Sequence, residues 1–129
     1  MKKLSILAPA GVVVACAIAA FPSLSIAQAD SELAAAIAAG QEVFETNCQG
    51  CHGDEGQGGA GPALAGNDVL SSARAVAAQI LNGNEEHGMP AFMDILDDDE
   101  VAAVGTYIRN SWGNAFGLMV AETVAAQRP

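Results

Sequence analysis

Five consecutive residues, Cys48-Gln49-Gly50-Cys51-His52, hold the strongest chemistry in this chain. Two thiols three positions apart can each add to one vinyl group of a single haem, and the histidine directly after the second thiol is then held at the iron as a neutral imidazole. Small Gly50 would let the backbone turn tightly against a porphyrin edge. The same two thiols could instead form a disulfide or redox pair, since an exported chain sits in oxidising surroundings. A zinc site needs four ligands, and beyond these cysteines the chain after residue 29 offers only His52 and His87, with neither a second C-x-x-C nor a paired-histidine spacing. The histidine adjoining Cys51 favours haem, with the disulfide next and zinc last.

These residues fall where a helix gives way to a loop. In SELAAAIAAGQEVFETN, from Ser31 to Asn47, Leu33, Ile37, Gly40 and Phe44 share one face and Asp30 or Ser31 supplies an N-cap, which predicts a helix leading into Cys48. From Gly50 to Asn67 there are six further glycines, Pro62 and no apolar period, so this segment reads as a loop. Ser71 to Leu81 is alanine-rich with Val76 and Ile80 four apart, a second helix that stops at Asn82-Gly83. Asn84 to Leu96 reads as another loop, because Pro90 disfavours helix at Met89.

Asp97-Asp98-Asp99-Glu100 opens a final helix from Val101 to about Ser111, with Val101, Val104, Ile108 and Tyr107 facing inward. The acidic run suits a cap and the helix dipole better than a metal site. Trp112 to Pro129 has no strong period and is expected to be a partly ordered tail. The expected layout is a leader over 1–29, one all-α domain over 30–114 and a tail over 115–129, with no internal repeat.

The leader reading rests on Lys2 and Lys3, an apolar stretch from Leu4 to Phe21, and Ala27-Gln28-Ala29 ahead of Asp30. That order reads as a secretory signal cut after Ala29, which sends the mature chain to the periplasm. Two rivals stand beside it. An uncleaved anchor is weakened by Pro9, Gly11 and the shortness of the stretch against a hydrocarbon core of about 30 Å. A lipid on Cys16, in the lipoprotein-like Val13-Val14-Ala15-Cys16, would tether the domain to a membrane without altering its chemistry.

Without the leader both lysines are gone, leaving Arg74, Arg109 and Arg128 against fifteen carboxylates, a formal net charge of −12. Nucleic acid and anionic membranes repel such a domain, and a basic patch on a protein partner attracts it, within a screening length of about 8 Å at physiological salt. Large side chains are scarce too, the mature aromatics being Phe44, Phe92, Phe116, Tyr107 and Trp112. A bound haem would fill the thin core: burying on the order of 400 Å² of macrocycle at about 25 cal/mol/Å² contributes roughly 10 kcal/mol, the scale of a domain's net stability.

The pattern resembles a class I c-type cytochrome over nearly the whole mature chain. Gly40-x-x-x-Phe44 ahead of Cys48-x-x-Cys51-His52 is similar to that family's N-terminal helix, and Gly61-Pro62-x-Leu64 to its post-haem loop. Gly88-Met89-Pro90-Ala91-Phe92 resembles its methionine loop, and Tyr107-Ile108 with Arg109-Asn110-Ser111-Trp112-Gly113-Asn114 its C-terminal helix and exit. The last stretch is similar to cytochrome subunits of bacterial periplasmic dehydrogenases and oxidases.

The resemblance implies a class I fold of three to five helices wrapped around one covalently bound haem c. It implies that the Pro62 carbonyl accepts a hydrogen bond from Nδ1–H of His52, and that Gly40 lets the first helix cross the last near Tyr107. For the second iron ligand it points to Met89, a soft thioether suited to ferrous iron, ahead of Met93, Met119 and His87. Met93 and Met119 read as core packing and His87 as a surface histidine.

With His52 and Met89 both on iron there is no open coordination position, so the implied function is one-electron transfer rather than catalysis. The implied potential is positive. A dehydrogenase or quinol-oxidising complex would be the donor, and a terminal oxidase or reductase of a respiratory chain the acceptor. A second reading makes the chain the haem subunit of a periplasmic dehydrogenase or oxidase, docked through Gly113 to Pro129. A third is a sensor or enzyme with five-coordinate haem, which requires that Met89 not bind.

Overall fold

The computed structural model describes residues 23–129, so Cys16, the apolar stretch and most of the expected leader lie outside the described residues. The elements are α1 (Ser23–Asn47), α2 (Gln49–His52), α3 (Ala73–Asn82), α4 (Asp98–Arg109) and α5 (Ala121–Ala125), with 3₁₀ turns at Asp68–Ser71 and Glu85–His87. Among the described residues there is no strand, and the all-α reading holds. Helix α1 is already formed at Ser23, ahead of the expected start at Ser31, because Ile26, Ala27, Gln28 and Ala29 include neither glycine nor proline and the helix runs on through the anticipated cap. The anticipated cleavage point after Ala29 falls within α1, on a stretch from Ile26 to Glu32 that is exposed throughout.

Helix α1 crosses α4, and the crossing is built on a missing side chain. A Cβ on Gly40 would overlap the carbonyl of Ala103 and lie 2.7 Å from Cβ of Tyr107, so the two backbones meet at a distance that only glycine permits. One turn on, Phe44 is 1% exposed and packs against Tyr107 and Trp112 with ring centroids 5.4 and 5.1 Å away. Tyr107 and Trp112 meet edge-on at 5.2 Å, which closes a three-ring cluster in geometries that aromatic rings favour. Trp112 adopts the left-handed backbone conformation, φ 53°, a cost of about 1–2 kcal/mol that its ring contacts offset.

Helix α3 buries Val76, Ala77, Ile80 and Leu81, starts from the Ser72 hydroxyl bonded to N–H of Ala75, and stops at Gly83. Helix α4 starts with a capping box, the Asp97 carboxylate accepting from N–H of Glu100 and the Glu100 carboxylate from N–H of Asp97, each at 2.9 Å. Those bonds give the acidic run its role as a cap. Leu64, Leu70, Ile80, Leu81, Phe92, Leu96, Val101, Val104 and Ile108 belong to one apolar core, which Cys48 and Met89 both pack against.

The segment after Trp112 corrects the expectation of a loose tail. Met119 is 2% exposed beside Gly105 and Val124 is fully buried, with α5 resting on α3 and α4. The Thr106 hydroxyl donates to the carbonyl of Met119 and accepts from its N–H. Arg109 is 4% exposed and donates to the carbonyls of Leu70, Ser71, Phe116 and Gly117 at 2.7–3.2 Å. Arg128 pairs with Asp98 and donates to the carbonyls of Met93 and Leu96. Periodicity could not reveal this order, because the segment is held by side chains reaching backbone carbonyls rather than by an apolar stripe.

Candidate functional site

Helix α1 ends at Asn47, the N–H of Cys48 donates to the carbonyl of Phe44, and α2 follows as a single turn. The Cys48 carbonyl accepts from the N–H groups of Cys51 and His52 at 3.1 and 3.0 Å, so the two thiols stand three positions apart on the same turn. Both are free, Cys48 half-buried and Cys51 exposed. Burial pushes the Cys48 thiol up to about 11, with a smaller contribution from the neighbouring Cys51, so at neutral pH it carries its proton. Gly50 keeps ordinary helical backbone and a Cβ there would meet nothing of the chain, so the turn expected of it is not a glycine conformation.

His52 is 9% exposed, and its Nδ1 lies 2.8 Å from the Pro62 carbonyl. A carbonyl only accepts, so Nδ1 carries a proton and, in the neutral ring, Nε2 keeps its lone pair, with no hydrogen-bond partner among the described residues. Gly61 makes room for the ring: a Cβ there would sit 2.9 Å from Cε1 and 3.0 Å from Nδ1 of His52.

The loop that carries Pro62 is pinned by a residue 50 positions beyond Leu64 in the chain. Asn114 donates from Nδ2 to the carbonyls of Leu64 and Ile108 at 2.8 and 2.9 Å, and its Oδ1 accepts from N–H of Asn67 at 3.0 Å. The N–H of Gly58 donates to the His52 carbonyl and that of Gly61 to the Cys51 carbonyl, which laces the loop back onto α2.

Met89 lies in a separate loop tied to α3. Asn84 and Met89 exchange both backbone hydrogen bonds across an antiparallel bridge, at 2.8 and 3.0 Å, around the turn Glu85–His87. The N–H groups of Phe92 and Met93 donate to the carbonyls of Ile80 and Leu81. The Met89 side chain is half-buried, and Gln79 Nε2 lies 3.3 Å from its sulfur. His87 is exposed and bonded to the Asn84 side chain at 3.0 Å, Met93 packs at the edge of the core, and Met119 is buried against Gly105 of α4.

The sequence-predicted residues thus form two groups, Cys48, Cys51, His52 and Pro62 around α2, and Met89 on its own loop. Two thiols on one turn, an imidazole with a free Nε2 and a thioether are a donor set that fits a covalently attached haem. Reasoning from sequence missed Gln79 and Asn114, whose side chains bond to these loops, and Arg109, which holds the segments at Leu70–Ser71 and Phe116–Gly117. Arg109 and Asn114 lie inside the exit stretch that carried part of the resemblance, whereas Gln79 had no signal beyond standing four residues before Gly83.

Comparison with known proteins places the chain in a family and leaves the ligand residues to the geometry above. Residues 35–108 match the family model described as cytochrome C oxidase, cbb3-type, subunit III. The chain is 32% identical over 88 residues to the cbb3-type cytochrome c oxidase subunit CcoP of Azospirillum brasilense, which covers 62% of this chain and 30% of that protein. It is 36% identical over 76 residues to cytochrome c6 of Leptolyngbya boryana, covering 55% of this chain and 87% of that one. Among solved structures, cytochrome CL from the methylotroph Methylophaga aminisulfidivorans superposes with a TM-score of 0.53 at 31% identity, over 60% of this chain and 55% of that chain. The chain therefore spans under a third of the length of the oxidase subunit, but most of the length of the small cytochrome.

Proposed function

We propose, on the premise that this chain belongs to the c-type cytochrome family described by the cbb3-type subunit III model and carries one covalently bound haem c, that it is an exported periplasmic one-electron carrier with His52 and Met89 as axial ligands. The bound haem supplies reversible one-electron oxidation and reduction of iron. The Cys48 and Cys51 thiols are the attachment points. The Pro62 carbonyl holds the proton on Nδ1 of His52, fixes the ring's orientation and raises the basicity of Nε2. The bridge between Asn84 and Met89 holds the thioether in a constrained loop, so little ordering remains when it binds.

The observation that carries this reading is the 2.8 Å contact from His52 Nδ1 to the Pro62 carbonyl directly beside a C-x-x-C turn, because it leaves the imidazole in the tautomer a metal requires. Mass spectrometry of the protein matured in a host with the haem-attachment machinery, combined with its ferric spectrum, tests it. The expected result is one haem adduct on an N-terminus at Asp30 and the weak red-edge absorbance of methionine sulfur bonded to ferric iron. A haem-free chain with Cys48 joined to Cys51 would refute the attachment. A haem adduct without the red-edge band would favour the five-coordinate sensor or enzyme.

Similarity to the oxidase subunit CcoP supports a second reading, the haem subunit of a periplasmic dehydrogenase or oxidase. A complex that survives gel filtration from native extract would favour it over the free carrier. Docking through Gly113 to Pro129 is then restricted to exposed groups, since Met119 and Val124 are spent on the protein's own core.

A further inference from the structure

The Pro62 carbonyl, which faces Nδ1 of His52, belongs to a segment with little packing of its own. Pro62 and Ala63 are both exposed, and proline has no N–H with which to fasten its own backbone. The carbonyl is therefore placed by its neighbours on either side. Upstream, the N–H of Gly61 donates to the Cys51 carbonyl at 2.9 Å. Downstream, two amide side chains take the next two carbonyls in turn, Asn67 Nδ2 donating to Ala63 at 2.9 Å and Asn114 Nδ2 to Leu64 at 2.8 Å.

The two amides are themselves joined. Asn114 Oδ1 accepts from the N–H of Asn67 at 3.0 Å, and its Nδ2 sends the second proton to the Ile108 carbonyl at 2.9 Å, near the end of α4. Three bonds on a side chain only 7% exposed hold it in one geometry. The N–H groups of Leu64 and Ala65 also bond, but to the Gly56 carbonyl of the same loop, which stiffens the loop without tying it to a helix. Among the described residues, the Asn114 amide is the polar group that joins residues 62–67 to the exit of α4.

We propose that Asn114, with Asn67 as its relay, is a positioning residue for His52: the two amides hold the Ala63 and Leu64 carbonyls and so set where the Pro62 carbonyl stands against Nδ1. This rests on His52 as a haem ligand and is independent of Met89. With the amides in place the 2.8 Å bond stays short, and the imidazole keeps its full donation through Nε2, which stabilises ferric iron. Without them the exposed segment moves toward solvent, water competes for the Nδ1 proton, and the imidazole becomes a poorer donor.

The test uses the haem-loaded protein as wild type, Asn114→Leu, Asn67→Ala, Thr106→Val, Gly61→Ala and the double variant Gly61→Ala with Asn114→Leu. Its readouts are the one-electron midpoint potential and the rate at which the His52 Nδ1 proton exchanges with solvent, followed by NMR in the ferrous protein. Leucine keeps the forked shape of asparagine and removes all three bonds. Asn67→Ala drops the bond to Ala63 at a half-buried position, and it decides the matter if Asn114→Leu does not accumulate. Thr106→Val removes both bonds to Met119, which join α4 to the same C-terminal segment, without touching the loop. Gly61→Ala presses on the His52 ring and so weakens the same bond by another route.

Asn114→Leu is expected to raise the equilibrium constant for reduction about threefold, which is about 28 mV for one electron, and to speed the exchange. Asn67→Ala is expected to shift both readouts in the same direction, and Thr106→Val neither. The double variant should shift the potential by less than the sum of the two single shifts, since both act on one bond. A wild-type protein without a haem adduct refutes the attachment and this proposal with it. With haem bound, readouts unmoved by Asn114→Leu and Asn67→Ala, shifts matched by Thr106→Val, or full additivity with Gly61→Ala overturns this proposal and leaves the haem reading standing.

Discussion

Gly61→Ala is a small substitution aimed at one bond. The added methyl carbon would sit 2.9 Å from Cε1 and 3.0 Å from Nδ1 of His52, whereas non-bonded carbons settle at about 3.5 Å or more. The ring must therefore yield by about 0.5 Å, which stretches the 2.8 Å bond to the Pro62 carbonyl toward about 3.3 Å. Backbone strain plays no part, since Gly61 is not among the residues with positive φ. Losing half or more of a bond worth about 1 kcal/mol weakens the imidazole as a donor to ferric iron. The potential should rise by about 20–40 mV, taking about 59 mV per tenfold change for one electron. Spectroelectrochemical titration of the haem-loaded variant measures this, with denaturant unfolding as the check on integrity. A potential that stays fixed or falls, in a variant with the wild-type unfolding midpoint, would refute the claim that the Pro62 bond tunes His52.

Three other outcomes are expected. Arg109→Met leaves the carbonyls of Leu70, Ser71, Phe116 and Gly117 without their donor; at about 1 kcal/mol per bond, discounted for partial access to water, unfolding in urea should show a loss of about 2–3 kcal/mol with an unchanged slope. Gly40→Val places a side chain into the Ala103 carbonyl and should cost at least about 3 kcal/mol, read as a large drop in thermal midpoint or failure to accumulate. Burial holds the Tyr107 hydroxyl above its ordinary range, with the Glu45 carboxylate adding to the shift, so the folded state keeps that proton longer than the unfolded chain. Its contribution is fully present below about pH 10 and is lost above it, so the fall in stability above that pH should be shallower in Tyr107→Phe.

Helices α1, α3 and α4 and the covalent haem were legible in the sequence because all are local signals, whereas the single turn α2 was read as part of a loop and α5 as part of a tail. Cys48, Cys51 and His52 declare themselves by adjacency, the Val76–Ile80 spacing marks α3, and Asp97 with Glu100 three residues on marks the start of α4. Gly40 was legible through the resemblance, and the structure gives it the expected contact with Tyr107. What escaped were contacts between segments far apart in the chain. Asn114 reaches Leu64 across 50 positions and Arg109 reaches Leu70 across 39, and neither leaves a periodic trace. Ser31 has the chemistry of a cap but does not act as one, because alanine-rich residues on both sides make continuation of α1 cheaper than a break.

The chain has one tryptophan, Trp112, in van der Waals reach of Phe44 and standing where a Cβ on Gly56 would collide with its ring. Its indole therefore touches both the helix that leads into Cys48 and the glycine-rich loop that follows His52. That position makes the domain its own fluorophore. Emission should be quenched by energy transfer to a porphyrin while the fold is intact and should brighten as α1 and α4 part, so a single cuvette reports unfolding at this junction without any dye or label.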